Sequence, residues 1–198
     1  GLIGSSLARA IKMHGLARHV IAADGSETVR QRVRDLALVD TVADDVGTSV
    51  ADADLVILCV PVGANAAVAA LIGPHLKPGA IVSDVGSVKS AVVRDVAPFL
   101  PEGVHFVPGH PVAGTEYSGP DAGFATLFEN RWTILTPEPG QDDEAIARVR
   151  ALWEAMGAMV EVMDHKRHDL VLAITSHVPH LISYNLVGTA YDLESVVE

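Results

Sequence analysis

The chain of 198 residues carries nine histidines, and three of them sit where a proton acceptor would be useful. His110 is held between Gly109 and Pro111, just past the apolar run 104–107, so a rigid turn at a strand end is expected to present its imidazole. An imidazole changes charge near neutral pH, which makes His110 the candidate general base. The competing reading is a surface loop histidine, and the flanking Gly and Pro weigh against it. His177 and His180, in Ser176-His-Val-Pro-His180, have i, i+3 spacing and share a helix face, as do His165 and His168. Four histidines on one segment invite a metal reading. With no H-E-x-x-H spacing and no cysteine partner, no metal is expected. Pro179 removes an intrahelical hydrogen bond and kinks a helix, so residues 176–180 are expected to wall a substrate cleft. The alternative is histidines packed in an interface. Ser87, in Asp84-Val-Gly-Ser-Val-Lys89, reads as a helix N-cap and as a site residue at once. Cys59 lies in a buried-type apolar run and is read as inert toward nucleophilic chemistry.

A second set of residues points to a nucleotide. Gly1-Leu-Ile-Gly4 fits the last two glycines of G-x-G-x-x-G and runs straight into a helical pattern, whose N-terminus suits a pyrophosphate. Asp24 ends the next apolar run, 20 residues after Gly4. An acid there binds the ribose 2′-hydroxyl of NAD and repels the 2′-phosphate of NADP. Cys59-Val60-Pro61 closes a third run. Ligands of open α/β sheets sit beyond the carboxyl ends of the strands. The candidate cofactor set is therefore Gly1, Leu2, Ile3, Gly4, Asp24, Cys59, Val60, Pro61 and Ser87, and the cofactor is NAD. A paired glycine at any helix start and a solvated strand-end acid are the plainer alternatives.

These residues need a scaffold, and the hydrophobic pattern supplies one. Short apolar runs at 19–24, 54–60, 80–84, 104–107, 132–135 and 159–162 read as strands. Amphipathic stretches at 2–14, 26–36, 64–76, 88–100 and 142–156 read as helices between them. Runs as continuous as 54–60 mark strands buried on both faces. Such alternation signifies an α/β fold, a doubly wound, mainly parallel sheet. Residues 108–130 read as a loop with a short helix near 121–127. From Asp164 the pattern changes to one long apolar helix over 165–187, which must be covered by something. Two domains are expected, 1–163 and 164–198.

Composition narrows the function classes. The chain is 49% hydrophobic and 20% charged, a globular balance, and its net charge is −11. An acidic chain suits neither nucleic acid nor an anionic membrane surface. One cysteine forbids an intrachain disulfide and fits a reducing compartment. No signal peptide is visible, and runs such as 55–62 are too short to span a bilayer. A cytoplasmic protein with no membrane and no nucleic-acid partner is expected. The chain opens inside a turn without Met and stops without a closing signal, so it reads as a piece trimmed at both ends.

Several segments, taken in order, resemble the prephenate/arogenate dehydrogenase family. They are Gly1-Leu-Ile-Gly-Ser-Ser-Leu-Ala, Asp84-Val-Gly-Ser-Val-Lys, Gly109-His-Pro-Val-Ala-Gly-Thr-Glu-Tyr-Ser-Gly, Trp132-Thr-Ile-Leu-Thr-Pro, and His168-Asp-Leu-Val with Thr175-Ser-His-Val-Pro-His-Leu. The first is generic to Rossmann domains; the third and last are far more specific. The resemblance implies a Rossmann-type domain followed by the start of an all-helical dimerisation domain. It also implies NAD-dependent oxidative decarboxylation of prephenate or arogenate, and a homodimer. His110 would take the proton of the ring hydroxyl, and Ser87 would orient His110 and the nicotinamide. His180 would contact the substrate, with His177 beside it and Thr115 and Glu116 at the pocket mouth. The family's arginine for the side-chain carboxylate has no match in this chain, so weak activity of these residues alone is expected. Two rivals remain: a β-hydroxyacid dehydrogenase type using a helical lysine, for which only Lys166 is present, and an NAD-binding sensor without catalysis.

Overall fold

The computed structural model describes residues 1–197, with side chains through Leu193; Glu198, the last residue of the expected second domain, lies outside them. Among the described residues, eight strands are interspersed with helices. Strands β1 (Ile21–Ala23) and β2 (Thr41–Ala43) pair in parallel. Strands β3 (Leu55–Leu58), β4 (Ile81–Asp84) and β5 (His105–Phe106) form a second parallel ladder. In the third, β7 (Trp132–Leu135) runs antiparallel to β6 (Gly109–Pro111) and parallel to β8 (Met159–Val162). The fold is thus α/β, Rossmann-type and mainly parallel, as the alternation implied.

The middle ladder is covered on both sides. All four residues of β4 are buried. Ile81 joins a core with Leu7, Phe128, Leu135, Val149 and Trp153, while its neighbour Val82 joins a separate one with Leu58, Ile72, Val92 and Val96. That alternation is the period of two that a strand imposes. Helices α1 (Leu2–His14) and α5 (Asp143–Ala155) contribute to the first core, α3 (Asn65–Ile72) and α4 (Lys89–Val96) to the second.

Local chemistry sets the helix ends. Gly15 stops α1 in the left-handed conformation, φ 62°, returning its N–H to the carbonyls of Ile11 and Lys12. Ser26 Oγ accepts the Val29 N–H at the start of α2 (Glu27–Asp35), and Asp142 accepts from Ala145 N–H at 2.8 Å to open α5. Helices α3 and α4 are shorter than expected. Each gives way to a tight 3₁₀ turn, Gly73–His75 and Ala97–Phe99, with a proline near its start. A proline has no N–H with which to continue an α-helix.

Three expectations change. Strand β2 was not legible, being three residues set among acids. The loop after β6 holds a 3₁₀ turn at Pro120–Ala122 in place of a helix at 121–127. His110 is not in a turn: it is the middle residue of β6, paired with Ile134.

The last segment is one continuous rod, made of α6 (His165–Leu172), a π-helical turn (Ala173–His177) and α7 (Val178–Val197). A π-helical turn lies just before Pro179, an adjustment that lets the helix continue past a missing donor. Over His165–Leu193 this rod is long and apolar enough to cross a membrane by length and composition, with mean hydropathy 1.3. The expectation that no stretch reaches bilayer length therefore fails for it. Length and composition alone do not separate a membrane span from a helix that protein covers. Ile174, Leu181 and Leu186 are 63%, 61% and 66% exposed in the single chain.

Candidate active site

The site is built on a buried ion pair. Asp84, the last residue of β4, and Lys89, the first of α4, are both fully buried. The Lys89 ammonium donates to Asp84 Oδ2 and to the Gly109 carbonyl, each at 2.5 Å. Asp84 also accepts the N–H groups of Gly86, at 2.7 Å, and Gly109, at 3.1 Å. Burial pushes the Asp84 carboxyl up and the Lys89 ammonium down, and their contact opposes both shifts. Charge facing charge, with the remaining lone pairs filled, is the one arrangement in which such burial is tolerable. Both backbone groups of Gly109 are thereby tied to this pair, which fixes the strand carrying His110.

His110 is 8% exposed. Its Nδ1 lies 2.9 Å from Nε2 of the fully buried His168, on α6. His168 Nδ1 lies 2.9 Å from Asp169 Oδ1. The two imidazoles meet edge to face, centroids 5.1 Å apart. Burial first, then the neighbouring charges of His168, Lys89 and His177, holds the His110 imidazolium down to about 3. Burial likewise lowers His168, against the pull of Asp169. At neutral pH His110 is an uncharged base.

Asp169 has a second task. Its Oδ1 accepts the Lys89 N–H at 2.7 Å and its Oδ2 the Ser90 N–H at 2.9 Å. Burial works against its charge, but hydrogen bonds from Ser90, His168 and Lys89 bring the carboxyl to about 2. The start of α4 is therefore capped from 80 residues away. The expected N-cap, Ser87, plays no such part: Val88 occupies the cap position, and the exposed Ser87 hydroxyl makes no hydrogen bond among the described residues. Beside this cap, Ser90 Oγ meets His165 Nδ1 at 2.9 Å, and His165 Nε2 meets Glu138 at 3.2 Å. His165 and His168 thus serve two different contacts with the α/β body. Among the described residues, no group of three or more His, Cys, Asp or Glu side chains is arranged to hold a metal ion.

The other candidates are dispersed. His177 is half-buried and close enough to disfavour charge on His110. His180 is exposed, and its Nδ1 donates to the Ser176 carbonyl at 2.7 Å. Thr115 and Glu116 are exposed in the loop after β6, where Thr115 Oγ1 accepts the Tyr117 N–H. Lys166, the lysine needed by the β-hydroxyacid dehydrogenase alternative, is exposed at the start of α6.

The nucleotide set is more coherent. Gly1 is the N-cap of α1, whose first turn has no acid and no side-chain cap, so its N–H groups remain available to an anion. A Cβ on Gly4 would stand 3.2 Å from Cys59 Cβ, so a glycine there lets α1 approach the end of β3. Asp24 follows β1, and its Oδ1 accepts the Ser26 N–H at 2.8 Å. Its Oδ2 has no hydrogen bond among the described residues. Val60 is half-buried and Pro61 exposed, just past β3. Burial pushes the Cys59 thiol up to about 12, in keeping with an inert sulfur. These groups fit a dinucleotide: open helix donors, a close glycine contact and an acid at a strand end with one oxygen open.

Residues 7–162 match the family described as prephenate dehydrogenase, nucleotide-binding domain. The chain belongs to that family. It is 49% identical over 188 residues to a cyclohexadienyl dehydrogenase of Zymomonas mobilis, covering 95% of this chain and 64% of that protein. It is 33% identical over 197 residues to a prephenate dehydrogenase of Bacillus subtilis, 99% of this chain and 53% of that protein. Its fold superimposes on the prephenate dehydrogenase of Aquifex aeolicus solved with hydroxyphenyl propionate and NAD+. The TM-score is 0.88 at 32% identity, covering 95% of this chain and 65% of that one. The chain therefore spans between half and two thirds of the length of these curated relatives.

Sequence reasoning missed Lys89, His168 and Asp169. One signal was available for Lys89: a lysine five residues after an acid at a strand end, opening an apolar helix. For His168, i, i+3 spacing suggested a shared role with His165, which the structure divides.

Proposed function

We infer that the protein oxidises and decarboxylates prephenate or arogenate with NAD, giving 4-hydroxyphenylpyruvate or tyrosine. Residues 1–163 form the nucleotide domain and 164–198 begin a helical domain. The observation that carries this reading is the buried, uncharged imidazole of His110 on β6, fixed by Lys89 on one side and His168 on the other. It stands on the family segment Gly109-His-Pro-Val-Ala-Gly, in a chain whose α1 start and Asp24 fit a dinucleotide.

Bound NAD supplies the hydride acceptor. His110 accepts the proton of the ring hydroxyl as the hydride leaves the same carbon. Loss of the ring carboxylate as CO₂ makes the ring aromatic and leaves a phenolate, to which the proton on His110 returns. Aromatisation drives the second stage, so the protein chiefly positions the reactants and handles one proton. Gly1, Leu2, Ile3 and Gly4 take the pyrophosphate, and Asp24 takes the ribose. Cys59, Val60 and Pro61 line the path of the nucleotide past β3. Ser87, exposed beside the ion pair, reaches the nicotinamide. His180, His177, Thr115 and Glu116 contact the substrate. The exposed apolar face of α7 joins a second copy of the chain in a homodimer, and the protein works in the cytoplasm.

The test is NADH formation by the whole protein with NAD and prephenate, then with arogenate, beside a His110→Asn variant. Turnover of either substrate, with a rate loss in the variant of about 100-fold or more, is expected for a lost base. Retained NAD binding without turnover of either substrate contradicts the reading.

A further inference from the structure

We propose that His168 and Asp169 are positioning residues that fix which nitrogen of His110 is the base. The inference rests on the reaction proposed above, but the arrangement behind it is independent of the substrate. An ionised carboxylate only accepts hydrogen bonds. His168 Nδ1, 2.9 Å from Asp169 Oδ1, therefore carries a proton. A neutral imidazole has one N–H, so His168 Nε2 is left as an acceptor. Its partner at 2.9 Å, His110 Nδ1, must then donate. That leaves the lone pair of His110 on Nε2, and Nε2 is the proton acceptor. One carboxylate at the end of the chain sets two tautomers in succession.

The same carboxylate holds the first two N–H groups of α4, Lys89 and Ser90, at 2.7 and 2.9 Å. Helix α4 belongs to the α/β body, and Asp169 lies on the helical rod. The tautomer of His110 is therefore correct only when α6 is seated on α4. Asp169→Asn disrupts this in a defined way. An amide has one acceptor oxygen where the carboxylate has two, so it cannot meet the Ser90 N–H on one side and the Lys89 N–H and His168 Nδ1–H on the other. With the oxygen toward Lys89 and His168, the wild-type tautomer persists and the Ser90 N–H loses its acceptor; turned round, the NH₂ faces His168 Nδ1 and favours the reversed tautomer along the chain. His110 then carries its proton on Nε2 and cannot accept another. His168→Gln keeps an amide oxygen able to accept from His110 Nδ1, whereas His168→Leu offers none.

The experiment is two-bond ¹H–¹⁵N correlation NMR of histidine-labelled whole protein without substrate, beside steady-state kinetics. Wild-type His110 and His168 are each expected with the proton on Nδ1. In Asp169→Leu, where His168 Nδ1–H has no acceptor, the His110 signal moves to the Nε2–H form or to a mixture. Its kcat falls about 100-fold, as for a base in the wrong tautomer, while KM for NAD stays within about twofold. His168→Gln retains more kcat than His168→Leu, which keeps the test open if Asp169→Leu fails to fold. A wild-type His110 protonated on Nε2, or an Asp169→Leu variant with unchanged tautomer and kcat, overturns the proposal. A fixed Nδ1–H tautomer in a protein that turns over neither substrate supports this inference and overturns the proposed reaction instead.

Discussion

The two histidine pairs that bear on the site live in opposite surroundings. His110 and His168 lie 58 positions apart in sequence, both buried, each with its Nδ1 partner named. His177 and His180 lie three apart on one rod, half-buried and exposed, with a single local contact from His180 to Ser176. The first pair spans β6 of the α/β body and α6 of the rod, with Asp169 tying α6 to the start of α4. The second has, among the described residues, only a hydrogen bond within its own helix. A proton acceptor must be fixed in tautomer and kept uncharged, which takes burial and long-range partners. A group that greets a mobile substrate must remain accessible, and local backbone suffices to hold it.

Three substitutions and one chemical modification can break this contrast. The largest effect is expected at Lys89, which carries no chemistry but ties Asp84 to Gly109. Lys89→Met leaves a buried carboxylate unpaired and is expected to cost about 3–5 kcal/mol of stability, read by urea unfolding. A loss under about 1 kcal/mol would mean that His110 is positioned without the ion pair. Next is a difference in chemical access: diethylpyrocarbonate is expected to modify His180 readily and His110 slowly, followed by peptide mass mapping. Equal rates would mean that the buried pair opens freely.

Third, acid lability should follow the first pair. His110 is held near 3 in the fold against an ordinary 6.5, so the unfolded chain binds more protons between those values. Stability then falls as pH drops through that window, and His110→Asn is expected to flatten the fall. His168, Lys89, His177 and Asp169 face the same imidazole, and the variant's residual slope reports on them. An identical slope in variant and wild type would contradict the burial argument. The smallest effect is expected at the exposed end: His180→Asn should raise KM for the cyclohexadienyl substrate about tenfold, with melting temperature unchanged. A collapse of kcat at constant KM would move His180 into the proton-handling group.

Much of the scaffold could be read from local pattern. Gly15, Ser26 and Asp142 end or open helices by short-range bonding, and β3, β4, β7 and β8 are apolar runs whose sides follow from alternation. His110 could be singled out as well, but its setting could not. Strand β6 is three residues with a glycine and a proline, and it exists because Gly109 and Pro111 find partners on β7, 22 or more positions away. Asp169 was invisible as a helix cap because it caps a helix 80 positions upstream. Ser87 had the residue type for that cap, yet the distant carboxylate serves Lys89 and Ser90 in its place, offering two acceptor atoms where a hydroxyl has one.

The central claim is that His110 is a buried base kept uncharged by its surroundings. The direct measurement is the pH dependence of the His110 ring signals by ¹H–¹³C NMR, in the resting protein between pH 8 and pH 5. His110 is expected to remain unprotonated across that range. A transition near the ordinary histidine value of about 6.5 would contradict it.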